Sequence, residues 1–597
     1  MYSVMASDAG VPDNARFCTQ IAQNNPKIGS VDDDKDNTGR RRENRTLRSA
    51  PFSPSFSRLC ATNLPRCSSR CRGLPLFGNL LQMRTGHAQS LAKWAQQYGG
   101  MFRLALGERE AVIISTFEHV EKTLIQQGAA FQSRPEFKLW HGAFSRALDP
   151  DAPTTLGTSK FTEKITKYRK IVTAQTTVNK LSSFDSFVAR RFLRLTKLLS
   201  ESSKSGMAHD LGFHFWTTVI GVTADTLYGQ HFDEETISLV ADVTVDAFRM
   251  RSLATPLHDY VPLIHAAERI ALLVAAPLGF ILRPLGLSSW LDSIHDTEKR
   301  AMYFRETEVA YCKKFVQELH ERMDAGDTTP SQMGDIFRTA EGSMLTPNEE
   351  LRLSQTMTGS GMSAGTSMAW LAPFLAAHPE MQERAFAAIE EVYGGAVPDP
   401  LDTGRVDYIT ALGTEAGRYF ASVRLGFPRE TYEDVVVDGM SIPRGVLVVY
   451  NSFQINRDPQ RYDRVEEFIP ERWLDGHYGR TDVKQPKVGL PHLNHGAGRR
   501  FCMGVPTVNK MFYGSFVLLL HFFKLERAPL EEAARTSTFP KFRSMIDREM
   551  SLAADPIHDQ VSLCDAQAIP LPAGIRLTPR NPEALAQWLE EQRLEWD

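Results

Sequence analysis

The sequence predicts a mainly α-helical chain with a smaller β region, and three observations carry that prediction. Helical segments dominate from about Phe117 to Ala377. Within them, Thr346-Pro347-Asn348-Glu349 sets a capping threonine, a proline at the first helical position and a glutamate three residues on, the start signal of a long helix. Short alternating runs at Met101–Leu106 and Ala111–Ser115, and again at Asp434–Gly439 and Val446–Tyr450, read as strands on either side of that helical body.

Taken in order, residues 1–72 differ from the rest. Asp32-Asp33-Asp34-Lys35-Asp36 is acidic, whereas Arg40 to Arg72 holds nine arginines and one acid, Glu43, among serines and prolines. No periodicity runs through this leader, so it reads as disordered, and as an atypical N-terminus produced by an incorrect start or retained non-coding sequence. Order begins near Gly73-Leu74-Pro75-Leu76-Phe77-Gly78-Asn79. His87–Tyr98 is amphipathic, and Gly107-Glu108-Arg109 turns between the first two strands. Ile270–Leu287 is strongly apolar but contains Pro277, Arg283 and Pro284, so it reads either as a core helix and loop or as a patch that dips into a membrane surface. The long helix from Thr346 is expected to reach about Ala377. Gly359, Gly361 and Gly365 inside it each cost about 1 kcal/mol relative to alanine. That points to something flat or bulky against the helix, to local opening, or to close helix–helix contact. Another helix starts at Pro379 and ends near Gly394-Gly395.

Composition narrows the function. A net charge of −3 over 597 residues gives no basic excess, and nucleic acid is excluded as a partner. Of seven cysteines, four lie in the first 71 residues, so no disulfide framework holds the body. Cys60, Cys67 and Cys71 fit no zinc spacing. No apolar run of about 20 residues crosses a bilayer.

The chemistry concentrates in Gly496-Ala497-Gly498-Arg499-Arg500-Phe501-Cys502-Met503-Gly504. Glycines let backbone fold around a sulfur, and the helix beyond brings its positive end, which favours a thiolate able to ligate a metal. Arg500 suits an anionic group of a cofactor. The alternative is a structural cysteine in a tight turn. Upstream, Glu415 and Arg418 share a helix face, and Phe468-Ile469-Pro470-Glu471-Arg472-Trp473 adds a second arginine. Two arginines on one glutamate would lock a loop onto a helix.

These residues resemble the cytochrome P-450 family of haem-thiolate monooxygenases. Gly496 to Gly504 fits GxGxRxCxG, Glu415/Arg418 fits ExxR, and Arg472 fits the family's later arginine. Thr155-Leu156-Gly157-Thr158-Ser159, Pro428-Arg429-Glu430-Thr431 and Asn456-Arg457-Asp458-Pro459 are most similar to fungal phenylacetate-hydroxylase-type members. The resemblance implies that fold, a triangular, mostly helical domain over residues 73–580 with a tail at 581–597, and haem between the long central helix and the Cys502 helix. Cys502 is the implied axial thiolate. Arg169, Arg429 and Arg500 are implied partners of the haem propionates, and Gly498 and Gly504 belong to the cofactor loop. Glu415, Arg418 and Arg472 are implied to be structural. The implied partners are O2, a small organic substrate and an NADPH-dependent reductase, at an endoplasmic reticulum membrane surface or in the cytoplasm.

Three positions depart from the family pattern. His495 stands where an aromatic, most often phenylalanine, is usual, and Ile165 where tryptophan is frequent. The acid–threonine pair that relays protons falls on Met362-Ser363, leaving Ser363 as the catalytic hydroxyl without its acid. Besides monooxygenation, an isomerase, dehydratase or radical-coupling enzyme, or a non-catalytic haem protein, is consistent with that gap. Lys138, His141 and Arg146 are candidate cations for a carboxylate-bearing substrate.

Overall fold

A computed structural model describes residues 71, 73–83, 86–137, 155–249, 251, 253, 259–263, 288–474, 490–545 and 555–596. The rest of the leader, the apolar run 270–287, and Lys138, His141 and Arg146 lie outside them.

Helix α1 (His87–Tyr98) leads into a small sheet. Strands β1 (Met101–Leu106) and β2 (Arg109–Ile114) pair antiparallel, Met101 opposite Ile114. The second strand begins two residues earlier than expected, because the turn needs only Gly107 and Glu108. Late in the chain, β3 (Arg429–Glu430), β4 (Val435–Val437), β5 (Met440–Ile442) and β6 (Leu447–Tyr450) follow. Strand β6 runs parallel to β2, Ala111 opposite Leu447, and β3 closes the sheet against β6 in the order β1-β2-β6-β3. All four residues of β6 are buried, as a strand between two covered faces must be.

The helical body comprises α2 (Glu163–Gln175), α3 (Asp185–Lys204), α4 (Gly212–Tyr228), α5 (Glu234–Arg249) and α6 (Ser288–Asp324). The expected long helix is instead two, α7 (Pro347–Thr358) and α8 (Met362–Ala376). The capping box at its start is present, with the Thr346 N–H donating to Glu349 Oε2 at 2.8 Å. The break at Gly359-Ser360-Gly361 settles two of the readings of the glycines. Gly359 caps α7 and opens on a cavity. Gly361 and Gly365 lie against α4, where an added Cβ would stand 2.5 Å from Val219 Cγ1 and 2.6 Å from Trp216 Cδ1. Every residue of α8 is buried except Ser363.

Helices α9 (Pro379–Tyr393), α10 (Asp407–Phe420) and α11 (Val505–Phe522) complete the core with α8. Trp370 stacks on Phe420 at 5.3 Å, Phe215 on Phe516 at 5.5 Å, and Phe374 meets Phe468 at 4.6 Å, so aromatic contacts tie α8 to α10 and α4 to α11 within one hydrophobic core. Strands β7 (Phe523–Arg527) and β8 (Ile575–Pro579) form a ribbon. Residues 582–596 form a last helix, α12, with Leu585 buried and Trp588 against Phe522 at 5.2 Å. Among the described residues no helix is long and apolar enough to cross a membrane.

Gly365→Ala will be destabilised by about 1–3 kcal/mol through overpacking against Trp216, despite the gain in helix propensity. A urea unfolding midpoint at or above that of the wild type would contradict this.

Candidate functional site

The Cys502 loop is a short hairpin. Cys502 N–H donates to the His495 carbonyl at 3.0 Å, Phe501 N–H to Gly498 at 2.9 Å and Gly496 N–H to Leu493 at 2.9 Å. Gly496 and Gly498 take φ of +77° and +60°, which side chains resist. Gly498 is further constrained, since a Cβ there would sit 1.7 Å from the Leu124 carbonyl oxygen. The loop then enters α11, and the sulfur faces the cavity. Burial pushes the Cys502 thiol up; the Gly504 N–H and the Arg169 charge oppose that push. Among the described residues no three His, Cys, Asp or Glu side chains gather into a metal cluster.

The cavity encloses about 1320 Å³ of empty space, part of which is open solvent. Cys502, His495 and Gly496 line it on one side, and Ser363, Ala364, Gly359 and Ser360 on the other. Burial pushes the His495 imidazole down to about 4, which makes it neutral at ordinary pH. Met362 is fully buried and turned away from the lining, so α8 brings Ser363 to the cavity and no acid. Below Ser363, Ser367 Oγ meets Ser422 Oγ at 3.1 Å and Asn494 Nδ2 donates to Ser422 Oγ at 3.2 Å. This polar chain connects α8 with the segment before the cysteine loop.

Arg134, Arg169 and Arg500 line the same cavity. Arg500 donates to the carbonyls of Gln132 (2.8 Å), Leu156 (3.0 Å) and Ser159 (3.0 Å), so the Thr155–Ser159 turn wraps its guanidinium. Arg169 donates to the Phe501 carbonyl at 2.7 Å, and Arg429, just outside the lining, to Ala497 at 2.6 Å. Arg134 donates to Pro428 at 2.9 Å. Burial pushes all four guanidiniums down. Charges within the group add to that push for Arg134, Arg429 and Arg500. None pairs with a carboxylate among the described residues, and Arg134 Nε and Arg429 Nε have no hydrogen-bond partner there. Arg134 escaped the sequence reading; its one signal was a lone arginine in Gln132-Ser133-Arg134-Pro135, ahead of the Thr155–Ser159 turn.

Glu415, Arg418 and Arg472 meet in full burial. Glu415 Oε1 accepts from Arg418 Nη2 (2.8 Å), Arg472 Nε (3.2 Å) and the Ile469 N–H (2.8 Å). Oε2 accepts from Arg418 Nε (2.9 Å) and Trp473 Nε1 (3.0 Å). Arg418 also donates to the carbonyls of Asn456, Val465 and Glu467 at 3.0, 2.8 and 2.7 Å. Asn456 Oδ1 in turn accepts from the Leu493 N–H at 2.9 Å, which carries the network to the base of the cysteine loop.

Residues 69–545 match the family model for cytochrome P-450. The chain belongs to the cytochrome P-450 family. It is a haem-thiolate monooxygenase, with O2, a redox partner and a small-molecule substrate as its reactants and partners. A 3-hydroxyphenylacetate 6-hydroxylase of Emericella nidulans is 27% identical over 533 residues, covering 87% of this chain and 90% of that protein. A phenylacetate 2-hydroxylase of the same organism is 25% identical over 537 residues, 87% of this chain and 91% of the other. Carnosic acid synthase of Rosmarinus officinalis is 24% identical over 503 residues, 81% and 92% of the two chains. The likeness therefore runs the length of the cytochrome P-450 domain and is not confined to the cysteine loop.

The cavity residues fit the family's haem. A cation cluster with no facing carboxylate and two unpartnered guanidinium nitrogens suits a dianionic group, and the open sulfur suits its iron. Of the glycines assigned to the cofactor, Gly504 offers its N–H to the sulfur and Gly498 packs on Leu124; neither lines the cavity, whereas Gly496 does.

Glu415→Gln removes the charge that faces two buried guanidiniums, and breaking a buried pair in this way costs ~3–5 kcal/mol. Expression of the variant should yield little protein with the ferrous–carbon monoxide band of thiolate-bound haem, and a lower unfolding midpoint.

Proposed function

We propose that this monooxygenase hydroxylates small aromatic carboxylates of the phenylacetate type. The observation that carries the proposal is the shared cavity, in which the Cys502 sulfur, the Ser363 hydroxyl and the rings of Phe248 and Phe427 line one space. The names of the two Emericella relatives support the substrate class. The electron donor is an NADPH-dependent reductase, at an endoplasmic reticulum surface or in the cytoplasm, as the family resemblance implies.

In this reading Cys502 would supply the thiolate that holds the haem iron. Arg169 and Arg500 hold the propionates, with Arg429 and Arg134 adding positive potential behind them. Glu415, Arg418 and Arg472 keep the segment beneath the loop in place. Bound haem supplies the activation of O2, with the thiolate's electron donation favouring O–O cleavage. The reaction consumes one C–H bond, O2, two electrons and two protons, and yields a hydroxylated product and water. Ser363 Oγ holds and passes protons at the open end of α8, through water in place of the acid absent at position 362. Ala364, Val423 and Phe427 present apolar surface that excludes bulk water from the reacting carbon.

A second reading, isomerisation, dehydration or radical coupling, draws on one observation: Glu308 is the sole carboxylate in the described cavity lining. Isotope-labelled O2 recovered in the product rules it out for the substrate tested. Cys502→Ser should abolish both the thiolate-type ferrous–carbon monoxide band and turnover; a retained band sinks the ligand assignment. Ser363→Ala should lower product formed per NADPH by about 10-fold or more, with more peroxide released and substrate affinity unchanged. Full coupling in that variant would remove Ser363 from the proton path.

A further inference from the structure

Helix α8 brings a hydroxyl to the cavity without an acid, yet each hydroxylation consumes two protons. The one carboxylate in the described lining stands on another helix. Glu308 belongs to α6 and lines the cavity with Gln355 of α7 and Ser363 of α8. Its Oε2 accepts from Arg305 Nη1 at 2.5 Å and from Gln355 Nε2 at 3.3 Å. Both donors fall on that one oxygen, and Oε1 has no protein donor among the described residues. The side chain keeps 17% exposure, enough for water to reach it. A carboxyl group held by one oxygen and open at the other is oriented and can still exchange a proton with water.

The wall that runs from this acid to Ser363 is polar. Thr356, Ser360, Ser363 and Ser367 all line the cavity, at spacings of four, three and four residues, so one hydroxyl-bearing face continues from α7 past the break into α8. Three of these hydroxyls are tied to backbone. Thr356 Oγ1 donates to the Arg352 carbonyl at 2.8 Å, Ser360 Oγ to Met357 at 2.7 Å and Ser367 Oγ to Ser363 at 3.2 Å. Thr366 donates to the Met362 carbonyl at 3.0 Å and lies outside the lining. Ser363 Oγ alone of this set has no protein partner among the described residues, so it can accept from one water and donate to the next. The tied hydroxyls keep lone pairs for water, and a face of this kind seats a water chain.

We propose that Glu308 is the acid that feeds protons to Ser363, through water held along this face of α7 and α8. A proton from solvent water lands on Oε1. The carboxyl O–H bond breaks as a cavity water takes that proton, the water passes one on to Ser363 Oγ, and the serine releases its own to the reacting centre. The carboxylate is then free to take the next proton from solvent. No electron moves along this route, and two passages supply the protons of one hydroxylation. Glu308 touches no reacting atom and is a positioning residue of the proton path. Arg251, from beyond α5, and Arg305, Tyr311 and Cys312 of its own helix are the titratable groups that act with it. Burial pushes the Tyr311 hydroxyl up and the Cys312 thiol up to about 12, so neither replaces the carboxyl as a proton source. The inference rests on the proton role proposed for Ser363 and names the acid behind it.

The test compares wild-type, Glu308→Gln, Glu308→Asp and Ser363→Ala holoenzymes, driven by NADPH and a cytochrome P-450 reductase, with phenylacetate and without it. Glu308→Gln keeps an acceptor for Arg305 and Gln355 but loses the acidic proton. Its O2 consumption should fall about 10-fold or more, and its ratio of rates in H2O and D2O should rise about twofold or more. The ferrous–carbon monoxide band should stay in place, and Glu308→Asp should recover part of the rate. Infrared spectra of the resting holoenzymes give a readout apart from turnover. A carboxyl band absent from Glu308→Gln should appear when the wild type is acidified and shift in D2O within the time of mixing. An unchanged rate and isotope effect in Glu308→Gln overturn the inference, as does a carboxyl band that is missing or does not exchange. A slower variant with the wild-type isotope effect, or one that loses the ferrous–carbon monoxide band and is not relieved by aspartate, assigns Glu308 a structural role and overturns it too. Ser363→Ala separates the two proposals. Full coupling in that variant beside a raised isotope effect in Glu308→Gln would keep the acid and remove Ser363 from the route. Uncoupling in Ser363→Ala beside wild-type behaviour in Glu308→Gln would keep Ser363 and remove the acid.

Discussion

The Glu415 carboxylate is the interaction on which the rest of the site depends. It accepts three hydrogen bonds on one oxygen and two on the other, from two arginines, a tryptophan and a backbone N–H. A buried charge survives only when its lone pairs are this fully engaged. Those donors come from α10 and from residues 469–473, segments that the packing of Phe468 on Tyr419 and Phe420 also holds together. The carbonyls held by Arg418 extend the same restraint to Asn456, and Asn456 holds the Leu493 N–H from which the cysteine loop departs. The position of the sulfur is thus set from below, by a polar network that never reaches the cavity.

The cavity divides by charge as well as by face. Its proximal end brings cations together without acids and neutralises His495 by burial. Its other end mixes Arg251 and Glu308 with serine, glycine and aromatic surface. An environment that penalises charge while displaying it is a selective one, because only ligands with anions at the right places recover the desolvation cost.

What could be read from the sequence was local. The capping box at Thr346, the αL glycine that ends α9, the strands around Gly107 and the spacing of Glu415, Arg418, Arg472 and Cys502 depend on residues near one another or on a fixed motif. What was missed depends on contacts between distant segments. Local opening and close helix contact were two of the readings that the glycines left open, but the partner helix, α4 with Val219 and Trp216, is one that no periodicity within 347–376 reveals. Gly498 was assigned to the cofactor because it lies in the loop, whereas the nearest group to it is the Leu124 carbonyl, far back in the chain. Arg134 and Arg251 stand outside any motif, and only the folded cavity distinguishes them from surface arginines. The three short sequences that resembled phenylacetate hydroxylases prove to be supports: one wraps Arg500, one places Arg429 in a strand, and one receives Arg418.

The unmatched arginines also bear on how long the protein survives. Like charges held together in a low-dielectric interior oppose the folded state until something anionic enters between them. A ligand that binds only the folded chain then stabilises it by mass action, by about 2.7 kcal/mol at a hundred times its dissociation constant. That is a sizeable share of the ~5–15 kcal/mol that separates folded from unfolded domains. Filling the site with the prosthetic group is therefore expected to raise the chain's resistance to unfolding.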